Sequence, residues 1–253
     1  MNTCQNKKLE IQGVSKAFSG NEVLQNIDMV LREGEIVSLI GTSGAGKTTL
    51  FHIISGLLAP DVGGVSLDGA DITNQTGKVS YMLQKDLLLP HKTVIENIAL
   101  PLLLSGTAKK EAFAEVQTHL DTFGLSGYES HYPNKLSGGM RQRAALLRTY
   151  LCKKGVALLD EPFSALDTIT KTNLQQWYLD IMEEIKLSTI FITHDIDEAI
   201  FLSDRVYILS GKPATIIDEI VIDYEGKRTQ DFLLTTDFLE YKRRIKKRIE
   251  SNL

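Results

Sequence analysis

Gly41-Thr-Ser-Gly-Ala-Gly-Lys47-Thr48 fits the spacing G-x-x-x-x-G-K-[ST], in which a glycine-rich turn and the first turn of a helix wrap backbone N–H groups around phosphate oxygens. The flanks supply the strand-loop-helix context that this device requires. Glu35 to Ile40 is a short β-branched and apolar run, suited to a strand buried on both faces of a parallel sheet. Beyond the loop, Leu50, Ile53, Ile54, Leu57 and Leu58 recur at helical spacing and predict one apolar helix face. Gly41, Gly44 and Gly46 permit the tight turn and the close approach of backbone to ligand. Lys47 is expected to reach the β- and γ-phosphates, and Thr48 to offer its hydroxyl to Mg²⁺. The stretch predicts binding of a nucleoside triphosphate.

At 253 residues the chain has room for one large domain, or a core and a subdomain. Its 43% apolar and 24% charged residues are ordinary for a globular protein. No apolar run approaches the roughly 20 residues that a membrane-spanning helix needs, and the first eight residues, Met1 to Lys8, lack the apolar centre of a signal peptide. A cytosolic protein is the expectation. Cys4 and Cys152 are distant from each other and suggest neither a disulfide framework nor a zinc site. A net charge of −4 gives no global reason to bind nucleic acid. The local exception is Lys242-Arg-Arg-Ile-Lys-Lys-Arg-Ile249, a basic run expected to form a terminal helix with a solvated face; an anionic surface is the other reading.

Strands are expected at 9–18, 23–31, 35–40, 64–69 (ending in an Asp-Gly turn) and 78–83, making the first third β-rich. From Leu87 to Leu151 the pattern becomes helical, with helices over 108–123 and 138–151. Two apolar strands then return, Val156 to Leu159 and Thr189 to Thr193, each followed by a helix. The alternation indicates an α/β core with a mostly parallel sheet, preceded by antiparallel strands and interrupted by an inserted helical segment.

Further candidate residues fall at strand ends. Asp160 and Glu161 close the run Gly155 to Leu159, and ligands of parallel sheets gather at the carboxyl ends of strands. Asp160 suits Mg²⁺ or its waters, and Glu161 can polarise an attacking water. His194 and Gln84 end two other predicted strands and reach the same rim; Gln84 could touch Mg²⁺ or water. Ser137-Gly-Gly139 at the start of the helix over 138–151 is a second anion-binding device, built from free N–H groups, a hydroxyl and the helix dipole. One nucleotide rarely needs two helix N-termini from distant parts of one chain.

With these residues in order, the chain resembles the ATP-binding cassette of ABC transporters over about residues 8–222, with 223–253 as a helical extension and a helical subdomain near 86–151. The correspondence comprises the phosphate loop at 41–48, the Q-loop Gln84, the signature Leu136-Ser-Gly-Gly-Met140, the Walker B pair Asp160 and Glu161, the D-loop Ser164-Ala-Leu-Asp167 and the switch histidine His194. Phe18 occupies the position of the aromatic that stacks on adenine. Thr42, Ser43, Ala45 and Thr49 complete the nucleotide-binding positions around the loop. The resemblance implies a P-loop fold, ATP and Mg²⁺, catalytic roles for Glu161, His194 and Gln84, a nucleotide-binding position at Asp167, and a head-to-tail pair of copies in which Ser137, Gly138 and Gly139 of one close over ATP held by Lys47 of the other. Met140 departs from the usual glutamine of the signature, and Phe18 from the commoner tyrosine, which should still stack.

Tyr81 to Pro90 resembles the corresponding segment of importer cassettes of the nitrate, sulfonate and taurine type, including those for the thiamine-precursor hydroxymethylpyrimidine. That resemblance implies a peripheral subunit on the cytoplasmic face of the cell membrane, docked on separate permease subunits and served indirectly by a solute-binding protein. Leu87 to Pro90 and Ile98 to Leu104 are apolar enough for a docking groove or for core. A chromosome-organising ATPase would need a long coiled-coil insertion, and a translation-associated cassette protein two cassettes. A soluble, non-transport cassette ATPase is the alternative.

Overall fold

A computed structural model describes residues 6–251; Cys4 lies outside them. The chain begins with a long antiparallel hairpin, β1 (Lys7–Phe18) and β2 (Asn21–Arg32). Its turn residues Ser19 and Gly20 both have positive φ, which matches the right-handed twist of the strands they join. β3 (Ile36–Gly41) enters the phosphate loop and α1 (Lys47–Ile54) leaves it. β4 (Val62–Leu67) and β5 (Ala70–Asp71) are joined through Asp68-Gly69, also at positive φ, as the Asp-Gly signal predicts. β6 (Ser80–Met82) precedes four helices: α2 (Val94–Ile98), α3 (Leu100–Leu104), α4 (Lys109–Leu120) and α5 (Gly138–Tyr150). Then come β7 (Val156–Asp160), α6 (Thr168–Ile185), β8 (Ser188–Thr193), α7 (Ile196–Leu202), β9 (Arg205–Gly211), β10 (Ala214–Val221) and α8 (Thr236–Glu250).

These strands form one sheet in the order β5-β4-β1-β2-β10-β9-β3-β8-β7-β6. From β9 to β6 every pairing is parallel, and from β5 to β2 every pairing is antiparallel. β10 joins the halves, antiparallel to β9 and parallel to β2. Successive residues of the central strands serve opposite layers, as strand geometry requires. Ile36 and Ile40 of β3, with Ala157 and Leu159 of β7, pack with the layer of α2 to α8. Val37, Leu39, Val156 and Leu158 pack with α1, β1, β2 and β4. Burial on both faces is why these strands read as unbroken apolar runs.

Two local expectations need correction. The apolar spacing after the phosphate loop continues to Leu58, but α1 stops at Ile54 and Leu57 is 62% exposed. Gly56, at φ 75, turns the chain out of the helix and packs against the Gln75 backbone so closely that a Cβ there would clash. Residues 205–221, assigned no strand from sequence, form the β9–β10 hairpin. Its inner strand is anchored by Arg205, whose guanidinium is 2.6 and 2.8 Å from the two Glu35 carboxylate oxygens and 2.7 Å from Glu219 Oε1. That pairing across β3, β9 and β10 satisfies a charge that burial would otherwise penalise.

Among the described residues, no helix is long and apolar enough to cross a membrane. The basic run lies on α8, whose Phe238 and Ile245 are buried. Lys242 pairs with Asp197 at 2.7 Å and Arg248 with Asp218 at 2.7 Å, so part of its charge is met by the protein's own acids.

Candidate active site

β3, β6, β7 and β8 run parallel, so the loops that follow Gly41, Met82, Asp160 and Thr193 meet at one edge of the sheet. Glycine is required where the phosphate loop starts: a Cβ on Gly41 would strike the Leu209 carbonyl of β9. It is required again at Gly46, which caps α1 at φ 89 and sits against Leu24. Lys47 follows, 8% exposed, its Nζ donating to the carbonyls of Gly41 at 2.8 Å and Thr42 at 3.0 Å. Burial lowers the pKa of this ammonium, and the nearby Glu161 and Asp160 charges act against that shift. The loop thus holds a caged cation beneath its backbone.

Asp160, on the last residue of β7, accepts from Thr48 Oγ1 at 3.5 Å and from the Tyr81 hydroxyl at 3.4 Å. Burial, and then the adjacent Glu161 charge, hold its carboxyl above the usual aspartate range. Burial beside Asp160 also raises the Tyr81 phenol. Nothing in the sequence around Tyr81 points to a role at the cleft. It pairs with Leu158 across β6 and β7, so Asp160, two residues on, lies on the same face; that register was the only signal for it.

Glu161 leaves the strand at φ 45, a left-handed conformation held by its N–H donating to Ile192 O at 3.0 Å. The turn aims its carboxylate along the edge. Oε2 accepts from Gln84 Nε2 at 3.0 Å, and Oε1 is 3.1 Å from His194 Nδ1. Three separate loops therefore converge on one carboxylate. The cleft they border is about 570 Å³, lined by loop residues 43–49, Gln84, Asp160, Glu161 and His194. No group of three His, Cys, Asp or Glu side chains among the described residues forms a metal cage. The hydroxyl of Thr48 and the carboxylate of Asp160 are oxygen donors of the kind that would suit a hard divalent cation.

The remaining sequence candidates lie elsewhere. Ser137 caps α5 by accepting from Met140 N–H at 3.3 Å, and neither it nor Gly138 or Gly139 lines the cleft. Those glycines face the segment after Glu161: added Cβ atoms would stand 3.0 Å from Leu166 and 3.1 Å from Thr170. Asp167 caps α6 through Thr170 N–H at 3.0 Å; the Thr170 side chain, and then that N–H, depress its pKa. Phe18, at the end of β1, is 44% exposed with Lys16 Nζ 5.7 Å from its ring centroid.

Residues 24–164 match the family model described as ABC transporter. The chain is 41% identical over 236 residues to the formylaminopyrimidine import ATP-binding protein ThiZ of Halalkalibacterium halodurans, covering 93% of this chain and 91% of that one. The chain belongs to the ABC transporter family. It is also 38% identical over 243 residues to the nitrate import ATP-binding protein NrtD of Synechocystis sp., with 92% and 91% covered. Among solved structures, a dimeric ATP-binding cassette in a post-hydrolysis state with ADP and Pi superposes with a TM-score of 0.72 at 29% identity, covering 85% of this chain and 99% of that one. As an ABC cassette the chain binds and hydrolyses ATP.

In a nucleotide-free ABC cassette, the buried Asp160 charge has a thermodynamic signature. Its folded pKa is raised, so the folded state holds this proton more tightly than the unfolded one. The associated stability is present below the ordinary aspartate value of 3.8 and is lost as pH rises through the elevated folded value. At neutral pH, Asp160→Asn should therefore raise the melting temperature without Mg²⁺ or nucleotide, and the gain should shrink in acid. A lower melting temperature at neutral pH would mean the charge is already compensated.

Proposed function

We propose that this chain is the ATP-hydrolysing subunit of a small-solute importer, acting as a head-to-tail pair docked on separate transmembrane subunits. The observation that carries the pairing is the placement of Ser137-Gly-Gly139. It is a helix start with an N-cap serine and dipole, outside the phosphate cleft of its own chain. A second copy turned head to tail brings that helix start over the γ-phosphate held by Lys47. Each site is then closed by both chains.

ATP lies along the loop with its adenine on Phe18, the ring contributing about 0.5–1.5 kcal/mol beyond area burial. Lys47 exchanges two carbonyl oxygens for phosphate oxygens, gaining a charged partner for a neutral one. Thr48, Asp160 and Gln84 would hold Mg²⁺, and the ion, when bound, would supply neutralisation of the phosphate charge. Glu161 accepts the proton of the attacking water. Its two oxygens are already oriented by Gln84 and His194, so little reorganisation is needed. His194 keeps one ring nitrogen toward Glu161 and the other free for the γ-phosphate. When the γ-phosphate leaves, the shared closure is lost and the pair reopens, which is the stroke passed to the membrane subunits.

The formylaminopyrimidine and nitrate importers named among the relatives support the import reading. Their solutes differ, so the solute is selected in the transmembrane subunits and a solute-binding protein. The segment after Gln84 is the docking face: Leu87 is 51% exposed, while Arg148 donates to Leu87 O at 3.0 Å and Arg141 to Asp86 Oδ2 at 3.2 Å. Motion there is tied to α5 and its signature. Co-expression with a candidate permease tests the reading. The chain should purify with that permease and hydrolyse ATP several-fold faster in its presence; failure to associate with any membrane subunit would favour a soluble ATPase.

A further inference from the structure

His194 is 63% exposed, so little side-chain packing fixes its aim at Glu161; its backbone must do so. Both chain neighbours of His194 are tied to one cluster. Thr193 Oγ1 donates to Glu198 Oε2 at 2.5 Å and accepts from Asp195 N–H at 3.0 Å. Asp195 Oδ1 caps α7 through the N–H groups of Asp197 and Glu198. Glu198 is only 4% exposed and also accepts from Gln175 Nε2 at 2.9 Å. The cation serving this cluster comes from another element. Lys171 Nζ, in the first turn of α6, is 2.7 Å from Asp195 Oδ2 and 2.9 Å from Glu198 Oε1. Its backbone N–H donates to Asp167 O at 2.8 Å, the residue that caps that helix.

Removing one member of such a cluster leaves a buried carboxylate uncompensated, which forces the surrounding backbone to move. Burial opposes the Lys171 charge, but hydrogen bonds and charge from Asp195 and Glu198 outweigh it and raise its pKa, so Lys171 is charged near neutrality.

We infer that Lys171 is a positioning residue for hydrolysis: it holds the Thr193–His194–Asp195 backbone so that His194 meets Glu161, and it links that alignment to the helix headed by Asp167. The inference rests on the proposed role of His194 at the γ-phosphate. Through it, a partner copy pressing on the segment 164–167 adjusts His194 as the site closes. A strap of this kind acts on kcat and leaves ATP affinity alone, because Lys171 does not line the nucleotide cleft.

The test compares Lys171→Met, Lys171→Arg and His194→Ala in the full chain, reading steady-state hydrolysis and affinity for a fluorescent ATP analogue. Lys171→Met should lower kcat by on the order of 10²-fold, as expected when a catalytic group is displaced by about 1 Å, with unchanged affinity. Lys171→Arg should restore most of the rate, and Lys171→Met should cost nothing further in the His194→Ala background. Wild-type kcat in Lys171→Met, a parallel loss of affinity, or an additive loss with His194→Ala would overturn the inference. If Lys171→Met does not fold, Glu198→Gln, which keeps the size and an acceptor for Thr193, must show the same kcat loss at unchanged affinity; a normal rate there overturns it. Wild-type hydrolysis in His194→Ala would overturn the reading of His194 together with this one. An inactive His194→Ala beside a normal Lys171→Met would remove Lys171 alone.

Discussion

In Glu161→Gln, ATP binding should persist while hydrolysis falls by about 10²- to 10⁴-fold, the usual contribution of a positioned general base. Glutamine has the shape of glutamate, and its amide oxygen can still accept from Gln84, which stands 3.0 Å from Glu161 Oε2. The left-handed turn at φ 45 is a backbone feature common to both side chains. What disappears is the anionic oxygen able to take a proton from water. Lys47, Thr48 and the loop amides are untouched, so nucleotide affinity has no reason to fall. Radiolabelled phosphate release under steady-state conditions reads the effect, and near-wild-type turnover would exclude Glu161 as the base.

Ser137→Arg should lower hydrolysis on the order of 10²-fold or more, the scale for losing a preorganised oxyanion donor, while ATP binding to the separate chain stays normal. Ser137 is not part of the cleft wall, so the mutated side chain meets the nucleotide only across the pair. In the proposed pair the new bulk stands where the partner's γ-phosphate would approach. Losing the N-cap bond to Met140 costs about 1 kcal/mol of helix stability; Ser137→Ala carries that cost without the bulk and serves as the control. Loss of ATP affinity in the isolated Ser137→Arg chain would instead place the signature at its own chain's site.

Much of this was legible in local sequence, because the physics involved is local. A phosphate loop depends on glycines at fixed offsets, and a strand such as 156–160 shows itself by being apolar on both faces. Gln84, Glu161 and His194 could be assigned to one rim because parallel strands end on the same side, yet their convergence on a single carboxylate was visible only in the fold. In the β9–β10 hairpin, Val206 to Leu209 is as apolar as the other central strands and could have been read as one, whereas Ala214 to Val221 mixes acids with apolar residues and is defined by its pairing with β9 and β2. Tyr81 and Lys171 escaped because each matters through a partner 79 or 24 residues away. The end of α1 was overrun because apolar spacing persists past Gly56, where a close backbone contact stops the helix.

A nucleotide site shared between two copies makes the molar mass of the Glu161→Gln chain depend on the nucleotide, which light scattering reads. With ATP the mass should double, with ADP it should remain that of one chain, and adding Ser137→Arg should abolish the ATP-dependent doubling while ATP remains bound. A Glu161→Gln chain that binds ATP and stays single, in the presence and absence of its membrane subunits, would mean that the site is not shared.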